Sequence, residues 1–139
     1  MGQRRRILVV DGSRYFGSLI WQTLIPEAEF EIIGLARRTD EALGMASARL
    51  PEVILVDLSH SETRGLSTIE SLRSAQPGVP IIAFTPISSH QYTQAAVDAG
   101  ASACMAKSEM VDGLLQTIWS LIPTPAPEVG HLLSQGVGQ

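Results

Sequence analysis

A chain of 139 residues can bury one real core, and 45% hydrophobic against 5% aromatic content makes that core aliphatic and alanine-rich. A net charge of −4 argues against nucleic acid as a direct partner, and no stretch approaches the about 18 consecutive apolar residues of a membrane span. The single cysteine, Cys104, excludes an internal disulfide and suits a reducing cytoplasm.

The run Arg4-Arg5-Arg6 reads as a solvated lead-in. Ile7-Leu8-Val9-Val10 follows as a buried strand, too short for a signal-peptide core, and stops at Asp11-Gly12-Ser13. Residues 14–25 read as a helix with Phe16, Ile20 and Leu24 on one face, closed by Pro26. Residues 30–36 (FEIIGLA) form a second strand. Residues 40–50 form an alanine-rich helix with Thr39 as N-cap and Pro51 as its stop.

Val53-Ile54-Leu55-Val56 is the third strand and runs into Asp57; a polar loop (SHSETRG) then leads to a helix over residues 66–75. Residues 80–85 (PIIAFT) make the fourth strand. Ser88-Ser89 can cap a helix reaching residue 99, with Gly100 just beyond its end. A short strand over 103–106 and an amphipathic helix over 109–121 complete the series, and Cys104 in that strand reads as a small buried hydrophobe. From Ile122 onward the composition changes, with Pro123, Pro125 and Pro127 followed by glycines. Residues 1–122 are therefore expected to form the domain and 123–139 a linker or loose tail.

Five β-then-α units with short connections imply an α/β fold: a doubly wound sandwich around a parallel sheet. In such sheets, ligand sites lie beyond the carboxyl ends of the strands. Asp11, Asp57, Thr85 and Lys107 stand at four of those ends. Alone, an Asp there is a loop starter and a Lys is solvated; together they are two carboxylates that need a cation, with a hydroxyl and an ammonium beside them.

ILVVD ending at Asp11, VILVDLS carrying Asp57, Gly65-Leu66, PIIAFT ending in Thr85 and AGASACMAK ending in Lys107 resemble the receiver domains of two-component response regulators, the CheY-like family. The spacing around FEIIGLARRTDEAL resembles the NarL-like branch, which usually carries a C-terminal helix-turn-helix after a linker. The resemblance implies a (βα)5 flavodoxin-like fold with strand order 2-1-3-4-5, and a signalling module, not an enzyme. It implies that Asp57 accepts a phosphoryl group from a sensor histidine kinase or phosphotransfer protein. Lys107 would then neutralise charge, Thr85 would bind the phosphoryl group, and Asp11, Asp57 and the backbone of Ser59 would hold Mg2+.

Three positions, and a lesser fourth, depart from the family pattern. Gly12 replaces a second acidic residue, so binding of Mg2+ is expected to be weak. Pro86 follows Thr85 and has no N–H to offer a phosphoryl group. Cys104 occupies the aromatic switch position of strand five, and Ser61 stands where many relatives have proline. The alternative is therefore a degenerate receiver that binds partners without phosphorylation. Trp21 and Trp119 suggest partly buried packing, or a homodimer face on the first and last helices. His60 and His90 read as surface residues. A flavin binder or hydrolase fits less well, because the first βα turn lacks a glycine-rich cradle and no G-x-S-x-G elbow occurs.

Overall fold

A computed structural model describes residues 4–11, 15–58, 62–86 and 89–122, the side chains of residues 62–64 excepted. Gly12, Ser13, Ser59, His60, Ser61, Ser88 and the tail 123–139 lie outside the described residues.

The elements are β1 (Arg5–Val10), α1 (Tyr15–Leu24), β2 (Phe30–Ala36), α2 (Thr39–Arg49), β3 (Val53–Asp57), α3 (Glu62–Ala75), β4 (Ile81–Thr85), α4 (His90–Ala99), β5 (Ala103–Ala106) and α5 (Met110–Leu121). A 3-10 turn, Lys107–Glu109, joins β5 to α5. The five strands form one sheet in the order β2-β1-β3-β4-β5, every pair parallel. This is the flavodoxin-like receiver arrangement expected from the sequence.

Strand side chains alternate between two cores. Ile7, Val9, Val53, Leu55, Ile82 and Phe84 meet α1 and α5, which contribute Phe16, Ile20, Leu114 and Ile118. Leu8, Val10, Ile54, Val56, Ile81 and Ala83 meet α2, α3 and α4 on the other face. The central β3 and β4 are buried at every position, which explains their unbroken aliphatic runs.

Several boundaries differ from the sequence reading. The first strand begins at Arg5, and Arg5 is no solvated lead-in: its guanidinium pairs with Glu52 at 2.7 Å and lies 5.9 Å from the centre of the Trp119 ring. Thr39 does not cap α2 but is its first residue. Its hydroxyl lies 2.6 Å from that of Thr68, while Arg38 is the N-cap and makes no side-chain cap bond. That helix stops at Arg49 because Pro51 disfavours a helical Leu50, which takes a left-handed φ of 51°.

The third helix starts at Glu62, four residues earlier than its polar, glycine-bearing sequence suggests. Gly65 sits inside it because a Cβ there would come within 2.4 Å of the Leu58 side chain and 3.3 Å of its Cα. Of the expected cap pair, Ser89 caps α4 and accepts the Tyr92 N–H. Gly100 ends that helix with a φ of 122°.

Candidate functional site

Parallel strands in register carry their last residues to one rim. Val10 of β1 is level with Val56 of β3, so Asp11 and Asp57 occupy adjoining strand tips. Asp57 is level with Phe84, and Thr85 pairs with Ala106, so the β4 and β5 ends complete the row. Asp11, Asp57 and Thr85 are all buried polar groups. Burial of that kind demands partners.

The partners come from three elements. The Asp11 backbone N–H donates to the Ala36 carbonyl at 2.8 Å, and one carboxylate oxygen accepts the Gly17 N–H at 2.9 Å. The first turn of α1 thus holds this carboxylate with a backbone donor. Lys107, the first residue after β5, reaches across to Asp57 with its Nζ 3.2 Å from each carboxylate oxygen. The Asp57 side chain is fully buried, whereas that of Lys107 is 24% exposed.

Two carboxylates on adjoining strand tips are hard oxygen donors of the kind Mg2+ or Ca2+ prefers, with water completing the shell. The donor set therefore fits such an ion, though sparsely. Among the described residues no group of three His, Cys, Asp or Glu side chains gathers to hold a metal. Ser59, the remaining expected ligand, lies outside the described residues.

Two further residues singled out in the sequence lie on the elements that form this rim. Pro86 is exposed directly after Thr85. Cys104 is half-buried on β5, level with Ala83. Burial pushes its thiol pKa up, a hydrogen bond with Thr93 opposes that shift, and the nearby Glu109 charge adds to it. Such a thiol is protonated and unreactive near neutral pH.

Sequence reasoning found the four rim residues but missed two supports. Phe16 reads as one member of an apolar stripe, yet its ring lies 5.4 Å from the Lys107 ammonium. Gly17 reads as an unremarked helical glycine, yet it supplies the amide that Asp11 accepts. Periodicity separates buried from exposed positions; it does not tell which buried residue sits under a charge. Of the two tryptophans, Trp119 packs on Phe30 with ring centres 5.2 Å apart, whereas Trp21 is 52% exposed. Partial burial thus describes Trp119 well and Trp21 less so. His90 is exposed, as expected.

A five-stranded parallel sheet in this order, with buried carboxylates and a lysine at its carboxyl rim, defines a receiver-type signalling fold. The response regulator receiver domain family matches residues 7–119, and the chain belongs to that family.

Among curated proteins, a protein-glutamate methylesterase/protein-glutamine glutaminase from Saccharophagus degradans is 30% identical over 98 residues. The match takes in 69% of this chain and 27% of that protein, so the chain spans about a quarter of the relative's length. Among solved structures, the response regulator domain of Thermotoga maritima CheB superposes with a TM-score of 0.76 at 19% identity, covering 89% of this chain and 100% of that one. A response regulator protein from Burkholderia pseudomallei, solved with a phosphorylated aspartic acid, calcium ion and citrate, gives a TM-score of 0.69 at 28% identity. That match covers 96% of this chain and 72% of the other.

Proposed function

We propose that this receiver domain accepts a phosphoryl group on Asp57 from a phosphohistidine of a sensor histidine kinase or phosphotransfer protein. The observation that carries the reading is the Lys107 ammonium seated on both oxygens of a buried Asp57 at the sheet's carboxyl rim. Asp11 and Thr85 flank it on the adjoining strand tips. A carboxylate oxygen of Asp57 attacks phosphorus in line; a P–O bond forms, the P–N bond breaks, and the imidazole nitrogen leaves with the electron pair. Lys107 turns its charge from the carboxylate to the phosphoryl oxygens, and the Thr85 hydroxyl donates to one of them. Asp11, Asp57 and the backbone at Ser59 would hold Mg2+, whose charge would add to the neutralisation.

The domain acts in the cytoplasm as a relay component without direct contact to nucleic acid or membrane. Among the described residues no helix is long and apolar enough to cross a bilayer. Trp21 on α1, with Ile25 exposed just past the end of that helix, is where a second copy of the chain would pack.

A second reading is favoured by specific positions. Gly12 removes a metal ligand, Pro86 removes an amide donor and Cys104 removes an aromatic switch, which together describe a receiver that binds partners without being phosphorylated. Intact-protein mass spectrometry after incubation with acetyl phosphate and Mg2+ separates the two. The first reading expects a mass gain of one phosphoryl group that disappears in Asp57→Ala; an unmodified wild type establishes the second.

A further inference from the structure

We infer that Phe16 is a positioning residue for Lys107, its ring forming a neutral seat that holds the ammonium at the phosphoryl-acceptor rim; the inference rests on the reading of Asp57 as that acceptor. Lysine carries its charge on a flexible four-carbon stem, so a fixed location for the ammonium has to be supplied by its surroundings. Two contacts among the described residues contribute to it. The Asp57 carboxylate lies 3.2 Å away on one side and the Phe16 ring centre 5.4 Å away on another, within the range where the negative face of a ring attracts a cation.

The ring is itself immobile. Phe16 is fully buried, and it packs against Phe84 with ring centres 4.8 Å apart and planes inclined by 57°. Phe84 is level with Asp57 across the β3–β4 ladder and immediately precedes Thr85, and its carbonyl accepts the Leu58 N–H at 2.8 Å. The seat is therefore tied to the backbone on both sides of the acceptor. Gly17, the next residue, fixes Asp11. Two consecutive residues at the start of α1 thus place the cation and one of the two carboxylates.

An aromatic seat has a property that a further carboxylate would lack. It attracts the ammonium without neutralising it, so the charge stays available to an arriving phosphoryl group. It also persists after Asp57 has been converted to an acyl phosphate.

The test exploits charge without changing shape. Replacing Phe16 by a ring-fluorinated phenylalanine withdraws electron density from the face and keeps its packing, and Phe16→Leu removes the face outright. The expected result is a fall in phosphorylation rate with acetyl phosphate of about three- to tenfold in both proteins. The fluorinated one should keep the wild-type unfolding midpoint. The Lys107 ε-methylene and ammonium resonances, followed by NMR, should move in both. Wild-type rates and unmoved Lys107 resonances in the fluorinated protein would overturn the inference. Should the wild type take up no phosphoryl group, the acceptor reading fails by itself, and the Lys107 resonances alone decide: moved, the seat stands; unmoved, it falls.

Discussion

The two ends of the sheet use opposite kinds of cation. At the amino end, arginines close the structure: Arg73 donates to the carbonyls of Gly100 at 2.9 Å, Pro77 at 2.9 Å and Val79 at 2.8 Å, and to the Ser102 hydroxyl at 3.1 Å. Arg5 pairs with Glu52, and Arg6 donates to the carbonyls of Arg49 and Leu50. At the carboxyl end a lysine, Lys107, pairs with the buried Asp57 beside the buried Asp11. A guanidinium fork is planar, and once its donors are matched its geometry is set. An ammonium is a point charge that can be redirected. Under the proposed function one end has to stay as it is and the other has to exchange a partner.

That contrast can be broken most severely at Arg73. Arg73→Ala leaves carbonyls of two loops, the one before β4 and the one before β5, without their donor and is expected to cost about 2–4 kcal/mol, read as a lower denaturation midpoint. The phosphorylation rate of the folded fraction should not change; a parallel loss of rate would show that the two ends are not separable. A smaller effect is expected at the opposite end from Gly12→Asp. An added carboxylate should tighten Mg2+ binding by about tenfold or more in a calorimetric titration, because a direct ligand contributes at least as much as an outer-shell partner. Unchanged affinity would mean that position 12 does not face the ion.

The smallest effect belongs to Cys104. Its raised thiol pKa means that the folded chain holds this proton more tightly than the unfolded chain does. The associated stability is fully present below the thiol's ordinary pKa and is lost as pH rises through the higher folded value. Alkylation by iodoacetamide should accelerate at a higher pH in the native protein than in the denatured one, and Cys104→Ala should remove the alkaline fall in stability. Coincident alkylation profiles would contradict this.

The order of elements was legible because five aliphatic runs alternate with amphipathic segments, and the rim followed from which polar residue ends each run. What stayed hidden depends on neighbours distant in sequence. Gly65 looks like a loop residue until Leu58 is seen to fill the space of its missing side chain. Thr39 looks like a cap until its hydroxyl is found beside Thr68, 29 positions on. Arg5 looks solvated until Glu52 and Trp119 are placed around it. Local pattern predicts which backbone forms; it carries no information about a partner that the fold alone brings near.

Beryllofluoride, a phosphoryl mimic, added with Mg2+ and followed by amide NMR, tests the central claim that one rim takes up the phosphoryl group. The account predicts that resonances of Asp11, Asp57, Thr85 and Lys107 shift together and lose their response in Asp57→Ala, while those of Arg73, Glu52 and Gly100 stay in place. No shift at the rim, or shifts scattered over both ends of the sheet, would contradict it.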